Sequence, residues 1–260
     1  MNRDDKAGSG SGEARFDTVQ DLVDANQVLV DRGILDAFGH VSVRDPRRSD
    51  AFLISRNLAP GLVTEADIQE VRLDGSTSDD RPSYLERFLH AEIYRARPDV
   101  QAIVHSHTAS MVPFSISHTP LRAVWHMAGF LGESVPVFEI RDGGDTGTDL
   151  LIRDGALGER LAGSLGDEAV VLMRGHGFVA VGDSIPQAVA RAVYADLNAR
   201  AQTTAIQLLG DYTALTVAEG RAAAAANDGQ LGRAWAIWKA EARKARGARE
   251  QRVGDDHDTR

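Results

Sequence analysis

Residues 99–110 read DVQAIVHSHTAS, and the rest of the chain is best read outward from them. Val100–Val104 is mostly apolar and β-branched, the make-up of a buried strand, yet it ends in two imidazoles, His105 and His107. Residues i and i+2 of a strand share a face, so the two rings project side by side, a spacing suited to two ligands of one metal ion. Neutral imidazole nitrogen binds first-row divalent cations well, whereas two buried histidines without a cation would each need hydrogen-bond partners. By itself H-x-H is a weak signal, with surface or core histidines as the plain alternative. A catalytic site with open positions needs a third ligand. His176, between two glycines in RGHG, is the best candidate, because glycine lets the backbone approach closely there.

Just upstream, SYLERFLHAEIYRARP reads as a helix from Ser83 to about Arg97, halted by Pro98. Ser83 and Glu86 have the spacing of a capping box, so the local pattern favours Glu86 as the reciprocal cap of its own helix. It also lies one helical turn before His90 and leads into the histidine strand, where a carboxylate close to a metal is an acid/base candidate. His40 opens the strand-like HVSVRD beside Gly39. His126, in WHMAGF, has the aromatic and apolar setting of a core histidine.

Further out, a helix is expected from Phe16, with Asp17 and Gln20 at capping-box spacing and Gly33 as its stop. HVSVRD and AFLISR are short strands parted by a turn, and TEADIQEVRLDG is a turn of helix followed by a strand. VPVFEI is another strand, and TDLLIRDGALGERLAGSLG is helical with a break at Asp154-Gly155. AVVLMRGHGFVAVG makes two strands around a tight turn, Ser184 opens a long helix to Gly210, and two helical stretches finish the chain. Short strands mixed with helices predict an α/β or α+β fold, with helices covering a mostly antiparallel sheet. Residues 1–14 are expected to be a flexible leader, 15–245 a single domain and 246–260 a disordered tail.

Composition sets the outer limits. A chain of 260 residues, 43% hydrophobic, buries a sizeable core. With no cysteine, disulfide and thiolate chemistry drop out. The start, MNRDDKAGSGSGEA, is charged and Gly/Ser-rich, unlike a secretory signal, and no run of about 18 apolar residues suggests a membrane span. A soluble, cytoplasmic protein is expected. Net charge is −9, and basic residues are scattered until EARKARGAREQR, which acidic GDDHDTR follows. That pattern is a solvated helix rather than a nucleic-acid footprint.

Taken together, GHVSVRDP, ERFLHAEIYRARP, VHSHT and LMRGHG resemble the class II aldolase/adducin family, in this order and over about Phe16 to Leu209. The resemblance implies that His105, His107 and His176 hold one divalent metal per subunit (zinc, manganese, cobalt or iron(II)) and that Glu86 is the catalytic carboxylate. It also implies the α/β fold of the class II aldolases, a three-layer α/β/α sandwich with a mostly antiparallel central sheet, and a homotetramer with sites near subunit interfaces. Two departures bear on the substrate. Sugar-phosphate aldolases of the family have GN where this chain has Gly39-His40, and two serines where it has Tyr84-Leu85. Losing two hydroxyls removes donors that a phosphate needs.

The variant motifs are similar instead to the decarboxylase branch, whose members act in aromatic catabolism on 3,4-dihydroxyphthalate or on carboxylated muconate semialdehydes. On that resemblance the expected activity is metal-dependent decarboxylation of an aromatic carboxylate such as 3,4-dihydroxyphthalate. The metal stabilises the developing oxyanion, Glu86 or His40 delivers the proton, and Arg174, Tyr84 and His126 are candidates for the substrate pocket. Arg174 reads equally well as a turn arginine facing solvent. The rival activities are retro-aldol cleavage of an unphosphorylated hydroxy or oxo acid, and an adducin-like scaffold without chemistry. The retained histidines speak against the scaffold.

Overall fold

Alternation along the first strand sorts the two faces of the sheet. In β1, His40–Arg44, Val41 and Val43 join one core, while His40 and Ser42 point to the opposite face. The same sorting holds in β4, Ala102–Ser106, where Val104 lies on the first face and Ile103 on the second. The computed structural model describes residues 7–144 and 147–258. Its other strands are β2 (Ala51–Ser55), β3 (Ile68–Arg72), β5 (Val137–Phe138), β6 (Val170–Met173) and β7 (Gly177–Gly182). They form a seven-stranded sheet in the order β3-β2-β1-β4-β7-β6-β5, antiparallel throughout except for the parallel β5–β6 pair.

The helices are α1 (Ala7–Asp31), α2 (Arg87–Ala96), α3 (Val112–Ile116), α4 (Gly155–Leu165), α5 (Ile185–Leu209), α6 (Val217–Asp228) and α7 (Leu231–Asp258). On the first face, Val41, Val104, Leu172 and Ala180 meet Leu22 and Leu29 of α1, Val189 and Val193 of α5, and Trp235 and Trp238 of α7. On the second, Phe52, Ile54, Ile103 and Val179 meet Leu89, Ile93 and Tyr94 of α2 and Leu161 and Leu165 of α4. This is the expected α/β/α sandwich. Central β4 is buried along its whole length, as its apolar run requires, and edge strand β3 is buried only at alternate residues.

Several local expectations differ from the structure, and the helix expected from Ser83 starts only at Arg87. Helix α1 begins at Ala7, so the described part of the expected leader is helical. Glycine lowers helix propensity without forbidding it as proline does, and Arg15 ties this end down through Asp45 (3.2 Å) and Glu70 (3.0 Å). Helix α7 likewise runs to Asp258 through the expected tail. Lys239, Arg243 and Glu241 fasten it to Asp21, Asp24 and Arg32. Residues 1–6 and 259–260 of those two segments lie outside the described residues. Residues 148–153 are irregular rather than helical, with Leu150 at φ +69°, and α4 starts only after Asp154, whose carboxylate accepts the Leu157 N–H. The strand expected at VPVFEI shrinks to Val137–Phe138. No helix among the described residues is long and apolar enough to cross a membrane.

Two glycines let neighbouring strands press on the end of β4. Gly39 has φ +82°, and a Cβ there would lie 2.8 Å from the His105 carbonyl oxygen. A Cβ on Gly177 would lie 2.1 Å from the Ser106 carbonyl oxygen and 3.1 Å from His107 Cα. Because that obstacle is backbone, the strands themselves would have to part. Gly177→Ala is therefore expected to cost at least the upper end of the ~1–3 kcal/mol typical of overpacking, read as a fall in the urea midpoint. An unchanged midpoint would refute the close approach.

Candidate metal centre and active site

The imidazoles come from three places around the end of β4. His105 is on the strand and fully buried, His107 lies just past its end, and His176 sits in the loop between β6 and β7. One ligand atom from each, with one carboxylate oxygen of Glu86, lie within 4.8 Å of one another. His107 Nε2 is 3.0 Å from His105 Nε2 and 2.9 Å from His176 Nε2.

Hydrogen bonds at the outer edge of the rings fix what faces inward. His105 Nδ1 donates to the Phe178 carbonyl (3.1 Å) and His176 Nδ1 to the Leu150 carbonyl (2.9 Å). With Nδ1 carrying the proton, each neutral ring presents an Nε2 lone pair to the centre. Lone pairs at this separation repel unless a cation stands between them, and His107 can offer a proton to one neighbour at most. The donor set therefore fits a divalent metal: three imidazoles, one carboxylate, and backbone carbonyls orienting two of the rings. Burial and the neighbouring imidazoles push the His107 pKa down to about 4, and burial with His105 lowers that of His176, so both are neutral ligands near pH 7.

The structure does not use Glu86 as a cap. It occupies the N-cap position of α2, but its side chain makes no capping bond, and Ser83 donates to Gln69 instead (2.8 Å). Glu86 Oε1 accepts the Ile152 N–H at 3.0 Å, while Oε2 lies 3.5 Å from His105 Nε2 and 3.6 Å from His176 Nε2. Burial alone would raise this carboxyl, while positive charge at the facing imidazoles and the Ile152 N–H would lower it. The irregular segment 148–153 thus serves the site twice, with Leu150 orienting His176 and Ile152 anchoring Glu86. Sequence periodicity gave no sign of either role.

His40 pairs with His105 in the β1–β4 register, and its ring centroid is 5.0 Å from that of His105. Tyr84 lies against it at 4.6 Å, with its hydroxyl donated to the Leu58 carbonyl and near Ser55 Oγ (3.1 Å). Tyr84 is thus a wall of the His40 site rather than a free hydroxyl.

Two expected pocket residues are placed otherwise. Arg174 Nε lies 2.6 Å from Glu139, whose carboxylate Arg141 also grips, so Arg174 is already paired. The Arg141 hydrogen bond above all holds the Glu139 carboxyl down at about 2. His126 is exposed at the start of a 3-10 segment rather than in the core, and its carbonyl accepts from Asn227. Beside His107 opens a cavity of about 510 Å³ lined in part by Asp36, Ser110 and Arg200. Arg200 is ion-paired with Asp196 at 3.0 Å, with its side chain largely exposed. Reaching into this cavity from the middle of a long helix, it had no sequence signal of its own.

A family model described as the Class II Aldolase and Adducin N-terminal domain matches residues 20–203. The chain is 44% identical over 204 residues to decarboxylase tropJ of Talaromyces stipitatus, covering 73% of this chain and 77% of that protein. It is 33% identical over 191 residues to a 3,4-dihydroxyphthalate decarboxylase of Arthrobacter keyseri, covering 66% of this chain and 72% of that one. An aldolase II superfamily protein from Pseudomonas syringae shares the fold at a TM-score of 0.75, over 89% of this chain and 94% of that one, with 23% identity. The motifs around the imidazole cluster, the sandwich that carries them and the match over most of the domain agree: the chain belongs to the class II aldolase and adducin family.

Proposed function

We propose that this protein is a divalent-metal-dependent carboxy-lyase acting on an aromatic acid with a hydroxyl beside the departing carboxylate, 3,4-dihydroxyphthalate being the first substrate to try. The observation that carries the reading is the placement of His40, a second acid–base group, against the imidazole cluster where Glu86 already stands. Similarity to two decarboxylases supports it, as does Tyr84-Leu85, whose one hydroxyl is spent on Leu58 and Ser55 and leaves no donor pair for a phosphate.

Held by His105, His107, His176 and Glu86, a divalent cation supplies Lewis-acid stabilisation of the negative charge that develops as CO2 leaves. The chain's own residues handle the proton. Accepting the Ile152 N–H and facing a cation held by the three imidazoles, Glu86 would stay ionised and act as a fixed negative group beside the rings rather than as the proton donor. His40 is neutral, because burial and the surrounding imidazoles lower its pKa well below the ordinary value.

In the proposed step, His40 Nε2 takes the proton of the substrate hydroxyl and passes it to the ring carbon that bears the carboxylate. The C–C bond to the carboxylate then breaks, CO2 leaves, and the electron pair returns to the ring to restore aromaticity with a phenolate oxygen. Atoms and charge balance without an outside reagent.

The test is CO2 release from 3,4-dihydroxyphthalate by purified protein. Release is expected to stop after chelation and to return with an added divalent metal. Chelator-resistant release would refute the metal role. Metal-loaded protein that released no CO2 would refute this substrate, and a carboxylated muconate semialdehyde would be tried next.

A further inference from the structure

Behind His40 runs a line of buried polar side chains that the proposed reaction does not yet use. Helix α2 presents His90 and Tyr94, one turn apart, to the sheet face that carries His40 and Ser42. His40 Nδ1 is 2.7 Å from His90 Nε2, and His90 Nδ1 is 2.7 Å from Ser42 Oγ. Ser42 Oγ is 2.8 Å from Tyr94 Oη, which lies 3.4 Å from the Gln101 carbonyl oxygen. Ser42, His90 and Tyr94 are sealed from solvent, His40 keeps 3% exposure, and Phe52 packs over both His90 and Tyr94. His40 Nε2 makes no hydrogen bond among the described residues.

Direction along this line follows from its far end. A peptide carbonyl can only accept, so the Tyr94 hydroxyl donates to Gln101 and Ser42 donates to Tyr94. His90 Nδ1–H then donates to Ser42, and His40 Nδ1–H donates to His90 Nε2. The reverse direction forfeits the bond to Gln101, and in a buried site a lost partner is costly. One ring proton on each histidine satisfies every bond of the line, so it is complete with both rings neutral.

We propose that His90, Ser42 and Tyr94 are positioning residues that lock His40 in its Nδ1–H tautomer and leave Nε2 as a bare lone pair for the substrate. This rests on the reading of His40 as the proton carrier. The apolar surroundings that make an unpaired hydroxyl costly also make the lock firm. No member of the line beyond His40 needs to touch substrate, so its effect is on the readiness of His40 and not on substrate binding.

The test uses full-length protein labelled with 15N-histidine and loaded with zinc, which is diamagnetic. Nitrogen chemical shifts give each ring's tautomer, and His40→Asn identifies the His40 signals. Wild type is expected to show His40 as the Nδ1–H form, with Ser42→Ala and Tyr94→Phe giving a mixture of tautomers. Tyr94→Phe removes a single oxygen and guards against a folding defect in Ser42→Ala. With 3,4-dihydroxyphthalate, both variants should lose about tenfold or more in kcat at unchanged KM and metal content, and Ser42→Thr should restore it. An Nε2–H tautomer in wild type, or an unaltered tautomer in both variants, would overturn the lock. A shifted tautomer with full kcat would overturn its role in the reaction. If wild type fails to decarboxylate the substrate, the functional reading falls while the tautomer measurement still decides the lock.

Discussion

His105→Ala and His176→Ala are each expected to reduce bound metal to a small fraction of the wild-type content and to lower CO2 release by about a thousandfold or more. The size follows from the several kcal/mol that a Lewis acid contributes to transition-state charge, at about 1.4 kcal/mol per factor of ten. The two rings differ in what surrounds them. His105 is fully buried between the sheet and Glu86, so its removal also leaves the Phe178 carbonyl without its donor. His176 sits in a loop, and its removal frees only the Leu150 carbonyl. His176→Ala is thus the cleaner variant, with a melting temperature closer to wild type when both are compared without metal. Metal content by elemental analysis checks the first claim and thermal unfolding the second. Full metal retention in both variants would show that the cation is held elsewhere.

Glu86→Gln is expected to cost about 10²–10⁴ in kcat, the range of a lost acid–base or charged active-site group, while α2 stays folded. The amide oxygen can still accept the Ile152 N–H, so the anchor at 3.0 Å survives the change. What disappears is the negative charge facing His105 and His176 at 3.5 and 3.6 Å. The glutamate side chain caps nothing in α2, so helix content by circular dichroism should match wild type. The opposite result, with α2 destabilised and activity retained, would restore the capping-box interpretation. Chain position favours Glu86 as the proton donor, whereas the proposed reaction gives that task to His40.

Much of the fold was legible because its signals are local. The alternation in HVSVRD and the buried run VQAIV specify strands, and Ser184 and Gly210 mark the ends of α5 as capping chemistry predicts. Spacing misled at Ser83–Glu86, where the capping pattern is present but each side chain has a better partner elsewhere, Gln69 for the serine and the Ile152 N–H for the glutamate. It misled again at residues 148–153. That segment has helical composition, but its backbone groups are taken by His176 and Glu86.

The sequence by itself set His105 and His107 side by side through strand spacing, although β4 ends at Ser106 and His107 lies just past it. It also marked His176 as the third imidazole and, through Gly39 and Gly177, allowed neighbouring strands to crowd the end of β4. Only the tertiary structure decided that Glu86 faces the rings, that Glu139 occupies Arg174, that Arg200 reaches the cavity beside His107, and that His90, Ser42 and Tyr94 line up behind His40. Each of these depends on the partner that packing brings within hydrogen-bonding reach of a buried polar atom. Local periodicity sets the face on which a side chain emerges, but such a partner comes from a distant part of the chain, as Ile152 does for Glu86.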